Sequence, residues 1–327
     1  MKNISILVPE SSVIQAIADP QYCFSAVNWF LTMSGRVPLF NVELVSFKKE
    51  IKLNDGIYSV HPNKLLKDVH KTDLIIIPAL FGDIATALKI NKKLAPWIID
   101  QYNNGAEVAS LCVGAFLLAS TGLLNGKKCS THWAFINKFH EMFPEVNVQD
   151  GSIVTEENRI YSSGGATSYW NLLLHLVEKF TDRETAIFIS KYFAIDIDRD
   201  SQSLFAMFKG QKEHNDEAVK EAQEYIEKNI EEKITVEELA GEVAVGRRSF
   251  ERRFKQATSN SVLEYIQRVK IEAAKRSFEI SRKNINEVMF DVGYTDTKAF
   301  RTTFKKITGL TPVEYRNKYN RMAELTA

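Results

Sequence analysis

The sequence contains few cysteines, and their number and spacing exclude a disulfide framework. Among 327 residues there are three, Cys23, Cys112 and Cys129, without any short regular spacing. Disulfide-stapled domains carry an even number of cysteines, and disulfides are rare in reducing compartments. Neither Cys23 nor Cys129 lies at metal-ligand spacing from a histidine, which argues against zinc. We therefore expect a cytoplasmic protein that needs no metal and no other cofactor.

The sequence also lacks a long uninterrupted apolar run. The N-terminal stretch MKNISILVPE reaches Pro9 and Glu10 after only a few apolar residues, too few for a signal-peptide core, so we expect no secretory leader. Residues 108–126 carry no charge and approach the length of a membrane span, but small and polar residues interrupt them. We interpret this segment as a buried strand followed by a helix, and we expect no membrane partner.

The chain has almost no net charge, and this balance hides a local asymmetry. The total is +1 at pH 7. Residues 244–321 contain 18 Lys and Arg against 8 Asp and Glu, an excess of ten positive charges, whereas residues 215–243 contain 3 against 10. A basic helical block is typical of proteins that bind the phosphate backbone of nucleic acids. From charge alone, a solvated helical surface explains the same pattern equally well.

Strand and helix patterns alternate over residues 1–195, which predicts a parallel sheet with helices on both faces. The predicted elements are strands at 4–8, 42–47 and 73–80 and helices at 95–104, after Cys112 and at 168–180. The third strand is a continuous apolar run, typical of a strand covered on both faces. A polar hairpin is predicted at 146–165, with Asp150-Gly151 as one turn. Residues 196–214 lose the periodicity and are predicted to be a connector.

Residues 215–327 are predicted to be all-helical, and they contain an internal repeat. Phe250, Phe254 and Tyr265 match Phe300, Phe304 and Tyr315 at an offset of 50, and Leu239 and Val243 match Val288 and Val292 at an offset of 49. The second copy therefore has one more residue in its turn. Each copy predicts a short helix, a tight turn at Val245-Gly246 or Gly293-Tyr294, and a second helix whose phenylalanines face inward. This pattern is typical of a helix-turn-helix, in which the second helix enters the major groove.

The outward faces of these two second helices carry the candidate DNA-binding residues. They are Arg247, Arg248, Glu251, Arg252 and Lys255 in the first copy and Thr297, Lys298, Arg301, Thr302 and Lys305 in the second. Arginine presents a bidentate fork to guanine or phosphate, glutamate accepts from cytosine, and threonine contacts the thymine methyl group. A long helix at 262–281 is predicted to hold the copies rigidly, so that they enter successive major-groove faces about 34 Å apart. We expect duplex DNA as the partner.

Residues 225–320 resemble the AraC-type transcriptional regulators, down to the ending FRTTFKKITGLTPVEYR. The resemblance implies a DNA-binding domain with two helix-turn-helix units at 215–327. Four positions depart from the family pattern: Ser259 stands in place of Gly, Val262 of Pro, Lys270 of Arg and Met289 of a small Ala. Val262 and Met289 affect packing rather than groove contacts, so the departures do not remove the expectation of DNA binding.

The N-terminal half resembles the ThiJ/PfpI branch of the class I glutamine-amidotransferase-like fold. The resemblance rests on the cysteine of SLCVGA, at a predicted strand-to-helix turn, and on the following LLASTGLLNGKKCSTHW. Joined to the AraC-type tail, it is similar to the GlxA-type regulators over nearly the whole chain. The implied fold is α/β, a flavodoxin-like amidotransferase-type parallel sheet domain at 1–195, followed by the all-α tandem helix-turn-helix domain. The first domain would bind a small-molecule effector or form a homodimer.

The resemblance also implies catalytic parts, of which this sequence retains some. In the catalytic relatives a helix N-terminus lowers the thiol pKa, a histidine lies nearby, a first-helix acid hydrogen-bonds the sulfur, and glycine-rich backbone supplies an oxyanion hole. Cys112 and His132 are present at the matching positions. Gln15 stands where the acid is expected, and residues 78–80 are Pro-Ala-Leu where Pro-Gly-Gly is expected. We therefore interpret Cys112, His132 and Gln15 as vestigial and predict no catalytic residue.

Three interpretations of Cys112 remain open: a small packing residue on an apolar turn, part of a retained pocket for an effector, or a nucleophile. For His132, beside Trp133, a satisfied and partly buried histidine is the alternative to a functional one. The main hypothesis is a sequence-specific DNA-binding transcription regulator that responds to a small effector and is not an enzyme. The alternatives are a ThiJ/PfpI-type cysteine enzyme, a hydratase or hydrolase, with a DNA-binding tail, and a regulator whose α/β domain only dimerises.

Overall fold

The computed structural model describes residues 1–197, 199, 201–212 and 214–320. The chain divides into two compact units, and the division falls between Gln202 and Ser203. This point lies inside the segment 196–214 that the sequence predicts as a connector. The two ends of that segment therefore belong to different units, and the domain limits at 195 and 215 remain predictions.

The first unit is built on a mostly parallel sheet, as predicted. Its strands are β1 (Lys2–Leu7), β2 (Phe40–Ser46), β3 (Ile51–Leu53), β4 (Tyr58–Val60), β5 (Lys64–Leu65), β6 (Leu74–Ile77), β7 (Glu107–Ser110), β8 (Lys128–Cys129), β9 (Asn147–Val148), β10 (Val154–Glu157) and β11 (Ile160–Ser163). Seven of these, within the described residues, form one sheet in the order β10-β11-β7-β6-β1-β2-β5. Only the β10–β11 pair of this sheet is antiparallel.

Helices cover the sheet because its central strands are apolar on both sides. All four residues of β6 are buried, as expected for a strand with no solvent face. The helices are α1 (Gln15–Met33), α2 (Ile84–Asn91), α3 (Leu94–Asn103), α4 (Ala115–Ala119), α5 (Ile136–Met142), α6 (Tyr169–Phe180) and α7 (Arg183–Tyr192). Helices α1, α6 and α7 pack on one another, whereas α4 packs on β6 and α2. The uncharged segment 108–126 divides between β7 and α4, and across the described chain no helix is long and apolar enough to cross a membrane.

The hairpin predicted at residues 146–165 is present, and the predicted turn at Asp150-Gly151 is one of two turns in this stretch. The hairpin joins β10 to β11, and its turn consists of Asn158 and Arg159, both with positive φ (50° and 64°). Two left-handed residues form the type I′ turn that matches the twist of paired strands. Asp150 and Gly151 form an earlier turn that leads into β10. The turn at Asn158 and Arg159 was not predicted, because arginine is an unusual residue for a left-handed position.

The second unit is helical, and one helix belongs to both of its cores. Its helices are α8 (Glu217–Lys228), α9 (Val236–Glu242), α10 (Arg247–Thr258), α11 (Val262–Ile280), α12 (Ile285–Asp291), α13 (Thr297–Thr308) and α14 (Pro312–Tyr319). The first half of α11 supplies Tyr265 and Ile266 to a core with Phe250 and Phe254. The second half of α11 supplies Ile271, Ala274 and Phe278 to a core with Phe300 and Phe304.

The predicted repeat holds at the level of ring geometry. Phe254 meets Tyr265 edge to face with ring centroids 5.3 Å apart, and Phe304 meets Tyr315 in the same way at 5.4 Å. The helix starts repeat as well, because α9 and α12 both begin with a capping box, and so do α11 and α14. The shared aromatic spacing therefore marks two copies of one helical unit.

The turn inside each helix-turn-helix depends on one left-handed residue. In the first copy this residue is Ala244 (φ 51°) rather than Val245 or Gly246, and Gly246 instead lies at the N-cap of α10. In the second copy it is Gly293 (φ 70°). A Cβ at Gly293 would lie 2.4 Å from the Glu231 carbonyl oxygen, so this position requires glycine for lack of space as well as for its φ.

The turns that follow α10 and α13, the second helices of the two helix-turn-helix copies, give a matched test of backbone strain. The C-cap of α10 is Ser259 (φ 58°), whereas the C-cap of α13 is Gly309 (φ 81°). A left-handed L-residue costs about 1 kcal/mol or more, which the larger unfolded-state entropy of glycine partly offsets. We expect Ser259→Gly to raise the free energy of unfolding of the helical unit by about 0.5–1 kcal/mol.

The reciprocal change Gly309→Ser serves as the control and should lower the stability by a similar amount, since a Cβ at Gly309 meets no atom within 4 Å. Scanning calorimetry of the full chain measures both shifts. Opposite shifts in the same thermal transition support the conclusion that the left-handed conformation of Ser259 lowers the stability. A Ser259→Gly variant that melts earlier than the wild type would contradict it.

Candidate nucleic-acid interface and the Cys112 site

Helix α10 presents a basic outer face to solvent. Arg247, Arg248, Arg252 and Lys255 are exposed and Glu251 is half-buried, whereas Phe250 and Phe254 on the opposite face are buried. The apolar stripe is the reason for this orientation, because burying both rings turns the remaining side chains outward. At twelve residues, α10 is about 18 Å long, which suits a major groove.

Ion pairs distinguish the arginines of α10 from one another. Arg253 donates from two nitrogens to Asp216, at 2.8 and 2.6 Å, and this fastens α10 to the start of α8. The hydrogen bond from Arg253 holds the pKa of Asp216 below its usual range. Arg247 pairs with Glu237 and Glu251. Arg248 and Arg252 form no ion pair with any described residue, and this leaves their guanidinium groups available to a ligand.

Helix α13 presents the corresponding face of the second copy. Thr297, Lys298, Arg301, Thr302 and Lys305 are all exposed, and its phenylalanines are buried. Asp296 caps the helix by accepting from the Ala299 N–H at 2.7 Å. An open hollow on this face is lined by Asp296, Lys298, Ala299, Thr302 and Thr303. The ten candidate residues therefore lie on two equivalent faces, five on each, at equivalent places in a duplicated fold.

Cys112 lies on the turn between β7 and α4 in a left-handed conformation, with φ of 55°. Its backbone N–H donates to Ser163 Oγ at 3.1 Å, and its carbonyl accepts from Thr131 Oγ1 at 3.3 Å. Only 6% of the residue is exposed. Burial raises the pKa of the Cys112 thiol, and the Ala166 and Val113 N–H groups offset this only in part. The thiol is therefore protonated at neutral pH.

His132 lies beside the same loop, but it is committed to a structural contact. Its Nδ1 accepts from the Ala134 N–H at 3.1 Å, so the ring caps the helical turn that begins at Trp133. The ring packs directly on Gly165, where a Cβ would lie 2.2 Å from Cδ2. Burial lowers the pKa of His132. No hydrogen bond joins its ring to Cys112, both of which lie in the described chain.

The first-helix position opposite this site differs from the expectation. Gln15 is exposed at the first residue of α1 and makes no hydrogen bond to Cys112. One turn further along, Asp19 accepts from the Tyr169 hydroxyl at 2.6 Å and from the Trp170 indole N–H at 3.0 Å. Burial, the bond to Asp19 and the nearby Cys112 all raise the pKa of Tyr169, which stays protonated. Tyr169 and Trp170 begin α6. The sequence did not identify them as residues of this site, since only the tertiary fold brings α6 to α1.

The Pro-Ala-Leu segment after β6 leaves little open backbone. The Ala79 carbonyl accepts from the Val13 N–H at 2.9 Å, and the Leu80 side chain is buried. Gly114 packs so closely that a Cβ there would lie 2.5 Å from the Pro78 carbonyl oxygen. Among the described residues, no group of three or more His, Cys, Asp or Glu side chains is placed to hold a metal ion.

Comparison with known proteins agrees with this two-part geometry. Residues 35–179 match the DJ-1/PfpI family, and residues 239–318 match a helix-turn-helix domain family. The chain joins a DJ-1/PfpI domain to an AraC-type helix-turn-helix domain. It is a DNA-binding transcription regulator.

A curated relative has the same two-part architecture. The regulator is 26% identical to the HTH-type transcriptional regulator GbdR of Pseudomonas aeruginosa over 269 residues, which are 82% of this chain and 72% of the relative. Its fold is similar to the crystal structure of an AraC family transcriptional regulator from Pseudomonas putida, with a TM-score of 0.50 and 16% identity. That similarity covers 59% of this chain and 100% of the solved one.

An enzyme also shares the first domain of the regulator. The isonitrile hydratase of Pseudomonas putida is 27% identical over 128 residues, which are 38% of this chain and 53% of the enzyme. The DJ-1/PfpI fold thus occurs in both regulators and enzymes. The fold therefore does not distinguish the two functions, and the distinction depends on the residues of the site.

The buried thiol gives a pH-dependent test. Because burial raises the pKa of Cys112, its alkylation by iodoacetamide should be slower than that of an exposed thiol and should keep accelerating above pH 9. Mass spectrometry of tryptic peptides measures the rate at each of the three cysteines. Cys129, whose pKa burial raises to about 12, is the internal control. A rate for Cys112 that reaches its plateau below pH 8 would show an activated thiolate and contradict this assignment.

Proposed function

We propose that this regulator recognises a specific duplex sequence with two recognition helices, α10 and α13, bound in successive turns of the major groove. The observation that carries the proposal is the duplicated geometry, in which two equivalent basic faces are held by one continuous helix, α11. The proposed contacts are Arg247, Arg248, Glu251, Arg252 and Lys255 in one half-site and Thr297, Lys298, Arg301, Thr302 and Lys305 in the other. Among them, Arg248, Arg252 and Arg301 are assigned to base edges because they are exposed and hold no ion pair within the described residues.

The α/β domain is proposed to bind a small-molecule effector rather than to catalyse a reaction. Polar groups of three other segments surround the β7–α4 turn at Cys112. Thr131 donates to the Cys112 carbonyl, Tyr169 of α6 is close enough for Cys112 to raise its pKa, and Asp19 of α1 accepts from the Tyr169 hydroxyl. Sites for small ligands place a few polar groups in an apolar surround in this way. Against catalysis stand a protonated thiol, a histidine engaged with Ala134, and an exposed Gln15. Three free, buried cysteines support a cytoplasmic location.

A cysteine enzyme with a DNA-binding tail is the second candidate. The left-handed φ of Cys112 favours it, because strained nucleophile turns are retained at active sites. The alkylation profile of Cys112 separates the two candidates, since a catalytic thiol needs a depressed pKa. A third reading, a domain that only dimerises, requires no ligand at all.

The proposed recognition residues are tested by substitution in the full chain. Arg248→Ala and Arg252→Ala should each weaken binding to an operator selected from random DNA by about 1–3 kcal/mol and relax the base preference in one half-site. Arg301→Ala should do the same in the other half-site, about one helical turn away. Fluorescence anisotropy over a salt series measures the affinity, and footprinting locates the half-sites.

Arg183→Ala, which removes an equal charge from α7 of the α/β domain, is the matched control and should leave the affinity unchanged. An equal loss on all sequences would reassign the arginines to phosphate contacts. Protection of a single half-site would contradict the tandem arrangement.

A homodimer through the α/β domain is proposed from an exposed aromatic surface on α1 and α7. Tyr22, Trp29, Met33 and Tyr192 are each about half exposed or more, and the rings of Tyr22 and Trp29 both contact the ring of Tyr192. A patch of this kind on a soluble domain marks a protein contact. Trp29→Glu should give a monomer by light scattering, whereas Ile57→Glu, exposed between β3 and β4, should not. A Trp29→Glu protein of unchanged mass would refute this interface.

A further inference from the structure

Gln202, the last residue of the first unit, is buried in the loops around Cys112. Its Oε1 accepts from the Gly165 N–H at 2.9 Å, and its Nε2 donates to the carbonyls of Thr131 and Ser152 at 2.9 and 3.2 Å. Its backbone N–H donates to the Gly151 carbonyl at 2.8 Å. Only 1% of Gln202 is exposed. A side chain from the predicted connector therefore satisfies three backbone groups of the α/β domain.

The groups that Gln202 contacts are also those that surround Cys112. Thr131 donates its hydroxyl to the Cys112 carbonyl, and Gly165 carries the His132 ring on its open face. Ala166, next in the chain, directs its N–H at the Cys112 sulfur. A Cβ on Gly164 would lie 2.8 Å from Gln202 Oε1, so the glycine loop and the amide fit without spare room. Any movement of the loop at 163–166 changes the surroundings of Gln202.

From Ser203 onward the chain is part of the helical unit. The Ala206 carbonyl accepts from Lys275 Nζ at 2.6 Å, and the Phe208 N–H donates to Glu272 Oε2 at 3.1 Å. The Phe208 ring contacts Tyr265 edge to face at 5.1 Å, in the first core. Leu204 packs on the second core. The segment 203–208 thus runs along α11 and contacts both helix-turn-helix copies.

Two buried charges on α11 explain why this segment is held firmly. Glu272 and Lys275 form an ion pair at 2.8 Å, and both are less than 10% exposed. Buried charges are stable only when hydrogen bonds satisfy their remaining atoms. Here the Phe208 N–H and the Ala206 carbonyl satisfy them. Removing the segment would leave a buried pair of charges without those partners.

Only one residue separates the last residue held in the first unit from the first residue packed in the second. Gln202 is fixed in the first unit and Leu204 in the second, and two residues span at most about 7 Å. A flexible linker would absorb a shift at either end, but a two-residue step held at both ends transmits it.

We propose that residues 202–208, the coupling segment, transmit the state of the Cys112 site to the DNA-binding unit, with Gln202 as the positioning residue. This inference rests on the proposed function, in which the α/β domain binds an effector. Occupancy of the site shifts the loop at 163–166, alters the hydrogen bonds of Gln202, and changes how firmly residues 204–208 hold the two cores on α11. Because coupling between sites is reciprocal, DNA binding alters the same loop in return.

The test uses the full chain, the selected operator duplex and Gln202→Leu, which keeps the side-chain volume but removes all three side-chain hydrogen bonds. The affinity for the operator should change by about fivefold or more. Amide exchange at Phe208, followed by mass spectrometry, should accelerate by about tenfold or more while α4 and β7 remain protected. Gln21→Leu, an exposed glutamine on α1, is the matched control and should change neither.

A second pair of variants identifies the route. Glu272→Gln combined with Lys275→Met neutralises the ion pair without leaving a buried charge and releases the coupling segment. In that background Gln202→Leu should alter the operator affinity by less than about 1.5-fold, because coupled residues are non-additive. An equal effect in both backgrounds would overturn the proposal, as would an unchanged affinity and exchange rate in Gln202→Leu.

Failure of the proposed function and failure of the coupling give different results. A wild-type chain that does not bind the operator refutes DNA recognition itself, before any variant is compared. If Gln202→Leu unfolds the α/β domain, Gln202→Asn replaces it, since the shorter amide keeps its polarity but falls short of Gly165. Accelerated exchange at Phe208 in a folded Gln202→Asn protein supports the coupling, and wild-type exchange there overturns it.

Discussion

The shared helix α11 is the constraint on which the DNA-binding half of this protein depends. Its first half completes the core around Phe254, and its second half completes the core around Phe304. Because one rigid helix belongs to both cores, the two recognition helices cannot reorient independently without breaking one of them. The proposal of two half-sites depends on this fixed spacing, since a helix of nineteen residues is about 28 Å long. The same helix also carries the buried Glu272 and Lys275, which form hydrogen bonds with Phe208 and Ala206 at the start of the helical unit.

The sequence predicted the parts of this fold that depend on periodicity. The Phe250/Phe254 and Phe300/Phe304 pairs predicted helices α10 and α13, because a ring at every fourth residue must be buried on one face. Their outward side chains followed from the same geometry. The apolar run of β6 identified the centre of the sheet, because a strand covered on both faces has no polar side. These features are local, and a single sequence contains them.

The rest could not be predicted, because it depends on contacts between segments that are distant in sequence. Asp19 lies one turn after Gln15, and only the fold brings Tyr169 and Trp170 to it from α6. Gln202 was assigned to an aperiodic connector, and nothing in its neighbours shows that an amide there is buried in three hydrogen bonds. The turn in the first copy was placed at Val245-Gly246 because glycine is the usual left-handed residue, whereas Ala244 adopts that conformation.

The close packing at Gly293 has a consequence for exchanging sequence between the two copies. The aromatic frames are equivalent, but the left-handed residue of the second copy lies against the Glu231 carbonyl and the Lys270 ammonium, and that of the first is an alanine. Lys270 in turn donates to the Glu232 carbonyl at 2.8 Å, so Lys270 links the loop before α9 to the turn of the other copy. The two copies are therefore not interchangeable at this position. Sequence exchanged from the first copy into the second would bring an alanine to a place with no room for its methyl group, while exchange in the reverse direction would bring only a glycine to a left-handed position.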